Sequence, residues 1–202
     1  ELGADVQSNF PSQGNSSNTA LVLDQLQVGI SFLMVGTLEP RKAYEEVLEA
    51  FERLWQEGLP LKLVFVGKQG WMVEGLVGKI RSHPELNRLL FWLEEISDVD
   101  LVMVYGSCTC LIAASYGEGF GLPLIEAAQH KLPIIARDIP IFREVAGGNA
   151  FFFKSKTPKE LAQKIQEWIQ IFETGKNPRS EKISWITWEQ SAEKLKRKII
   201  LK

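Results

Sequence analysis

The sequence predicts a doubly wound α/β fold, in which a parallel sheet is covered by helices on both faces. Two observations carry this prediction. Short apolar runs alternate along the chain with segments of helical period, and the runs are apolar throughout instead of alternating with polar residues. Strands that are apolar on both sides need cover on both sides, which crossover helices provide. The 202 residues, 45% of them hydrophobic, suit one domain with a substantial core.

Six apolar runs are the predicted strands, and they span residues 30–36, 61–67, 89–93, 108–114, 132–136 and 150–153. The segment after the first run has apolar residues on one helical face: Tyr44, Val47, Leu48, Phe51, Leu54 and Trp55. Ser97 followed by Asp98 is typical of a helix start. Another helix is expected from about Leu122 to Gln129, after a glycine-rich turn. The chain therefore alternates strand and helix, as crossover connections require.

Two helices are predicted to close the chain. Thr157 followed by Pro158 is typical of an N-cap and a first helical position. The inner face of that helix is predicted to be Leu161, Ile165, Trp168 and Phe172. The last helix is expected over about 186–202.

Residues 7–19 are rich in Ser, Asn, Gln, Pro and Gly, which is typical of a loop or linker. The chain does not begin with Met, and we interpret residues 1–20 as a linker or the remainder of a longer protein. Residues 21–202 are then the domain. No apolar run reaches the ~20 residues that a membrane crossing requires.

The net charge and the cysteines argue against general nucleic-acid binding, membrane binding and a zinc site. A net charge of −2 gives no general attraction to nucleic acid or to an anionic membrane, so an anion site must be built locally. Cys108 and Cys110 alternate on one apolar run, so both are expected on one sheet face as buried small hydrophobes. Two Cys and two His form no zinc motif. This composition favours a reducing, cytoplasmic compartment.

Ligands of such folds bind beyond the carboxyl ends of the strands, where the strand order reverses. The first segment of interest there is 35–42, in which Gly36 allows the chain to turn and Arg41 and Lys42 follow. Cations at a helix start oppose the helix dipole. They are explained either by a phosphate bound beside them or by simple solvation of a basic pair.

The second segment is 116–126, with glycines at Gly117, Gly119 and Gly121 and carboxylates at Glu118 and Glu126. Three glycines directly after a strand let the backbone approach a ligand, and the following helix offers free N–H groups to a phosphate. The carboxylates can accept hydrogen bonds from sugar hydroxyls. The glycine spacing fits neither the dinucleotide-binding nor the Walker motif. The alternative is a tight turn with two surface acids.

The third segment, 137–144, is predicted to be a turn into a short helix. We expect Arg143 and Glu144 there to be structural.

At these segments the chain resembles the retaining glycosyltransferases of the GT-B architecture, which have two facing Rossmann-like domains. The resemblance covers nearly all of residues 30–200 and corresponds to the C-terminal half. It is closest to mannosyl- or rhamnosyltransferase-like proteins of bacterial surface-polysaccharide synthesis. Its most specific motif is Glu118-Gly-Phe-Gly-Leu-Pro-Leu-Ile-Glu126. Residues 35–42 and 133–140 follow the family pattern in the expected order.

The resemblance implies a role for each matching residue. Lys42 would bind the donor diphosphate, and Glu118 would act at the donor sugar as the catalytic residue. Many members carry Arg where this chain has Thr37, so Arg41 would substitute for it. The implied donor-binding residues are Gly36, Thr37, Arg41, Lys42, Gly119, Phe120, Gly121, Leu122 and Glu126.

The resemblance also implies the partners. The donor would be a nucleoside diphosphate sugar, bound without a metal or other cofactor, and Glu126 would hold its ribose. The acceptor domain would be the missing N-terminal half. Any peripheral membrane association would occur only through that half. The isolated fragment would be inactive. Two alternatives are a non-catalytic nucleotide-sugar-binding module and a sugar-nucleotide epimerase of similar fold.

Overall fold

The computed structural model describes residues 16–200 and confirms the doubly wound α/β fold. One six-stranded sheet has the order β3-β2-β1-β4-β5-β6, with every pairing parallel. Its strands are β1 (Ser31–Val35), β2 (Lys62–Val66), β3 (Leu90–Leu93), β4 (Cys110–Ala113), β5 (Ile134–Arg137) and β6 (Phe151–Phe153). Each lies within or directly beside the apolar run that predicted it.

Helices precede, connect and follow the strands. They are α1 (Ser16–Leu26), α2 (Tyr44–Gln56), α3 (Glu74–Arg81), α4 (Asp98–Ser107), α5 (Leu122–Gln129), α6 (Pro140–Ala146), α7 (Pro158–Glu173) and α8 (Trp188–Ile200). Short 3-10 turns span Pro40–Lys42 and Ser180–Lys182. The bounds of α5 and the start of α7 are those predicted. The Thr157 side chain accepts a hydrogen bond from the backbone of Glu160, and Ser97 caps α4 in the same way.

The core consists of two apolar layers, one on each side of the sheet. Helices α2, α3 and α7 pack on one side, where Trp168, Phe51 and Phe32 are fully buried. Helices α1, α4, α5 and α6 pack on the other side, where Phe91 and Tyr105 are buried. The strands contribute alternate residues to the two layers, which is why they are apolar throughout.

The strand order reverses between β1 and β4, which are hydrogen-bonded neighbours. The chain leaves β1 for α2 on one face and leaves β4 for α5 on the other. The loops after these two strands therefore diverge at the same edge of the sheet and leave a crevice between them. This arrangement places both glycine-containing segments of the sequence at one site.

The prediction that both cysteines lie on one sheet face is wrong. Helix α4 extends to Ser107, so Cys108 caps that helix and packs in the layer with α5, whereas Cys110 lies in β4 and faces the layer with α2. Both thiols are buried and unpaired, as predicted. Burial raises the pKa of Cys108 to about 12 and also raises the pKa of Cys110.

The predicted loop over residues 7–19 is wrong at its C-terminal end, because α1 begins at Ser16. This helix contacts α4, and Val22 and Leu26 anchor it in the core. The boundary proposed between residues 20 and 21 thus falls inside a helix. Residues 1–15 and 201–202 lie outside the described part of the chain.

Helix α8 extends along the surface with an exposed apolar face. Trp185 before the helix and Trp188, Leu195 and Ile199 within it are between 41% and 66% exposed. Within residues 16–200, every helix falls short, in length or in apolar character, of what a membrane crossing needs.

Two glycines hold the loops after β1 and β2 close together. Gly67 has a φ of +145°, and a Cβ built on it would lie 2.1 Å from the carbonyl oxygen of Gly36. The backbone amide of Gly36 in turn donates to the Val66 carbonyl at 2.9 Å. A side chain at Gly67 would therefore push the end of β1 out of place.

We expect Gly67→Ala to lower the free energy of unfolding by about 3 kcal/mol, because it adds both backbone strain and a clash with main-chain atoms. Gly78→Ala is the matched control: Gly78 lies inside α3, and its Cβ would meet open space. That control should be neutral or slightly stabilising. Urea unfolding followed by circular dichroism measures both. Equal stability of the two variants would contradict the close approach described above.

Candidate functional site: an ion-paired carboxylate at the switch point

The first part of the site is the cation turn, residues 36–42, which follows β1. Gly36 leaves the strand with a φ of +131°, and its carbonyl accepts a 2.6 Å hydrogen bond from the Tyr44 hydroxyl. Pro40 then opens a 3-10 turn that ends at Lys42. The Lys42 ammonium lies over Gly36, since a Cβ at Gly36 would be 3.3 Å from Nζ.

The second part is the glycine loop, residues 115–121, which follows β4. Gly121 has a φ of +88° and caps α5, and a side chain there would meet the Phe142 ring at 3.1 Å. The backbone amide of Tyr116 donates to the Arg41 carbonyl at 2.9 Å, which joins the glycine loop to the cation turn. Within residues 16–200, the amides of Gly119 and Phe120 donate to no carbonyl. These N–H groups remain available to an anion.

The Glu118 carboxylate connects the two parts. One oxygen lies 2.6 Å from Lys42 Nζ and 2.8 Å from the Ser115 hydroxyl, which donates to it. The other oxygen accepts from the Arg41 guanidinium at 2.8 Å. Arg41 also donates to the Gly117 carbonyl and pairs with Glu39. Glu118 is therefore fixed in position, although glycines flank it.

The ion pairs control the protonation of Glu118. Burial of this carboxyl opposes ionisation, but the hydrogen bonds from Lys42 and Ser115 outweigh that effect and hold its pKa below the usual range. The Glu118 side chain is only 10% exposed, so solvent screens these contacts less than it would on an open surface. At neutral pH Glu118 is thus ionised between the two cations Lys42 and Arg41, and Arg41 also pairs with the Glu39 carboxylate.

The Glu126 carboxylate lies one turn inside α5, on the side of α4. One of its oxygens accepts a 2.6 Å hydrogen bond from the Tyr105 hydroxyl. Burial raises the pKa of Glu126, while the Tyr105 hydrogen bond and the positive charge of Lys42 act in the opposite direction. Lys42 thus acts electrostatically on both glutamates of the motif.

Sequence reasoning missed a buried network behind the glycine loop. Arg137, at the end of β5, bonds to the Glu46 carboxylate on α2 at 2.5 Å and to the Ala114 carbonyl at 2.6 Å. Glu46 also accepts hydrogen bonds from the hydroxyls of Tyr116 and Ser155. The Arg137 guanidinium lies 4.4 Å from the centre of the Tyr116 ring. A charged residue at the end of an apolar strand was the signal in the sequence that could have identified this network.

The structure brings together some of the sequence-predicted residues and leaves others apart. Gly36, Arg41, Lys42 and Glu118 form one contact group, with Gly119 and Gly121 on the same loop. Thr37 is exposed and its methyl group lies beside Gly70. Phe120 borders a cavity of about 300 Å³ with Trp185 and α6. Leu122 is 37% exposed at the start of α5.

The third segment turns into the short helix α6, as predicted, and Arg143 makes local contacts there. Its guanidinium bonds to Asp138 at 2.6 Å and lies over the Phe152 ring. Among the described residues, His, Cys, Asp and Glu side chains nowhere form a group of three that could hold a metal ion.

Comparison with known proteins identifies the family of this chain. The family model of group 1 glycosyl transferases matches residues 29–184. The serotype-specific mannosyltransferase WbdA of Escherichia coli is 51% identical over 192 residues, which is 95% of this chain and 24% of WbdA. The O-antigen chain mannosyltransferase RfbU of Salmonella typhimurium is 26% identical over 78% of this chain and 43% of its own length. The chain thus spans about a quarter of the length of WbdA.

Two solved structures share the fold. Anabaena Alr3699/HepE, in complex with UDP and glucose, superposes with a TM-score of 0.70 at 18% identity over 96% of this chain and 55% of its own. The C-terminal domain of the group 1 glycosyl transferase LpcC from Francisella tularensis has a TM-score of 0.64 at 21% identity. That match covers 87% of this chain and 92% of the LpcC domain.

The lowered pKa of Glu118 predicts how stability depends on pH. A carboxyl whose folded-state pKa lies below its unfolded value stabilises the fold above the unfolded pKa. That contribution is lost as the pH falls through the folded pKa. We therefore expect Glu118→Gln to lower the free energy of unfolding at pH 7 by about 1 kcal/mol. The difference from wild type should vanish in acid.

Urea unfolding at a series of pH values from 7 downward measures this difference. Glu144→Gln, which replaces an exposed carboxyl on α6, is the control and should change stability little at any pH. A Glu118→Gln deficit that stays constant down to strongly acidic pH would contradict the ion-paired state.

Proposed function

The chain belongs to the group 1 glycosyltransferases, and we propose that it is the C-terminal, donor-binding domain of a retaining enzyme. The donor is a nucleoside diphosphate hexose, and the acceptor is a growing bacterial surface polysaccharide. A second domain, outside this chain, binds that acceptor and completes the active site. The short span of the chain within WbdA supports the assignment to one part of a longer enzyme.

One observation carries the proposal: the cation turn and the glycine loop meet at the Lys42–Glu118 ion pair. Lys42 and Arg41 supply positive charge, and the amides of the glycine loop supply neutral donors beside it. An ammonium group has three donors, so Lys42 can bind a phosphate while it keeps its contact with Glu118. The site thereby places a carboxylate next to an anion-binding position.

This arrangement suits the departure of a diphosphate from a sugar. Negative charge grows on the leaving group as the glycosidic bond breaks, and fixed donors aimed at that charge lower the barrier. Lys42, Arg41 and the glycine-loop amides provide these donors, so the proposal requires no metal. Glu118 faces the sugar end of the donor. Glu126, deeper on α5, holds the hydroxyls of the ribose.

The sugar and the compartment are also parts of the proposal. The names of WbdA and RfbU support mannose as the transferred sugar, and the HepE complex supports a nucleoside diphosphate as the leaving group. We place the enzyme in the cytoplasm, with any peripheral membrane association through the other domain. Retention is checked by the anomeric configuration of the product made by the full-length enzyme.

The first expected outcome is metal-independent binding of a nucleoside diphosphate by this domain. The domain is titrated calorimetrically with UDP, GDP, ADP and TDP and with their sugars, in the presence of EDTA and then of Mg²⁺ or Mn²⁺. One base should bind, with an affinity that changes little between the two conditions. Affinity that appears only with the divalent ion would contradict the role given to the cations and amides.

The second expected outcome concerns Lys42. Lys42→Ala should weaken diphosphate binding by about 10- to 150-fold, the value of a charge-assisted hydrogen bond of ~1.5–3 kcal/mol. The free energy of unfolding should fall by less, because Arg41 and Ser115 still donate hydrogen bonds to the Glu118 carboxylate. Lys164→Ala, which removes a partly exposed lysine on α7, outside the proposed site, is the matched control and should bind as wild type. Normal binding by Lys42→Ala would place the phosphate elsewhere.

A further inference from the structure

Tyr105 on α4 is buried against the second glutamate of the motif. Its side chain is 1% exposed, and its hydroxyl donates to Glu126 Oε2 at 2.6 Å. The ring stacks on His130, with centroids 5.3 Å apart and planes 8° from parallel. His130 caps the C-terminal end of α5, four residues after Glu126, so a single tyrosine contacts the same side of that helix twice.

These contacts fix the Glu126 carboxylate. Stacking on His130 sets the position of the ring, and the ring sets the position of the hydroxyl that holds Oε2. Among the residues the structure describes, no donor bonds to the other oxygen, Oε1. The carboxylate is thus oriented by one oxygen and keeps the other for a ligand. A pair of neighbouring hydroxyls is recognised best by a planar acceptor whose orientation is set in advance.

We propose that Tyr105 is a positioning residue for the nucleoside end of the donor, acting through Glu126. The inference rests on the proposed function, in which Glu126 binds the ribose. Tyr105 does not touch the ligand. Its hydroxyl holds the carboxylate in the orientation that accepts the ribose hydroxyls, and its hydrogen bond favours the ionised form that can accept them.

The electrostatic surroundings agree with this role. Burial raises the pKa of Glu126, and the Tyr105 hydroxyl and the Lys42 charge counteract it. The other titratable group on this face of α5 is His130, whose pKa burial lowers. Burial raises the pKa of Tyr105 well above its usual value, and the Glu126 carboxylate adds to this, followed by Tyr44 and Cys108. Tyr105 therefore remains a neutral donor throughout the working pH range.

The test is Tyr105→Phe, which removes the hydroxyl and keeps the ring that stacks on His130. At pH 7.5 the affinity for the nucleoside diphosphate that binds wild type should fall by about three- to tenfold. As the pH is lowered, the loss of binding should begin at a higher pH than in wild type, because Glu126 has lost a group that lowers its pKa. A purely structural role for Tyr105 would leave that pH dependence unchanged.

Two control variants isolate the effect. His130→Phe keeps an aromatic ring stacked on Tyr105 and removes the imidazole. If Tyr105→Phe still raises the pH at which binding is lost when His130→Phe is also present, the titrating group is Glu126. Ser31→Ala removes a different buried hydroxyl, which lies at the amino end of β1. That hydroxyl accepts a hydrogen bond from the Thr109 amide. This substitution should cost stability without changing nucleotide affinity. Circular dichroism confirms that each variant is folded.

A double-mutant cycle with Glu126→Gln decides whether the two residues act together. Since Tyr105 acts only through the carboxylate, Tyr105→Phe should reduce affinity little further once Glu126→Gln is present. Independent, additive losses would overturn the inference, as would wild-type affinity of Tyr105→Phe with an unchanged pH dependence. These outcomes would leave the proposed function intact. A wild-type domain that binds no nucleoside diphosphate would overturn both the proposed function and the role of Tyr105.

Discussion

The structure depends on the reversal of strand order between β1 and β4. Because these neighbouring strands send their following helices to opposite faces, their loops separate at one edge of the sheet and face each other across a crevice. The hydrogen bond from the Tyr116 amide to the Arg41 carbonyl joins these two loops. The cation turn, the glycine loop and both glutamates of the motif are positioned by this single topological feature.

Within the crevice, the surroundings give two similar carboxyls different properties. The cations and hydroxyl around Glu118 hold its pKa below the usual range, whereas burial under α4 raises the pKa of Glu126. Opposite shifts in one site are a common sign that two acids have different roles. Here Lys42, Ser115 and Arg41 favour the ionised form of Glu118, whereas at Glu126 the Tyr105 hydroxyl counteracts part of the effect of burial.

The network behind the site buries an ion pair between Arg137 and Glu46. Burying Arg137 and Glu46 removes both charges from water, and their attraction repays this cost only because further hydrogen bonds satisfy the remaining polar atoms. The same network fixes Tyr116, the residue that joins the glycine loop to the cation turn. The buried polar cluster thus fixes the position of the glycine loop relative to the cation turn.

The sequence by itself determined the six strands and the general location of the site, although it did not predict α1. Fully apolar runs, the Thr157-Pro158 cap and the glycine-rich turn depend on neighbours a few residues apart, and parallel strands always present their carboxyl ends at one edge. Only the tertiary structure decided which side chains meet. Tyr105 and Glu126 are 21 positions apart and Arg137 and Glu46 are 91 apart. The two cysteines, two positions apart, lie on opposite faces of the sheet. Local pattern sets the conformation of a segment, whereas contacts between distant segments follow from the strand order and from the residue at which each helix ends.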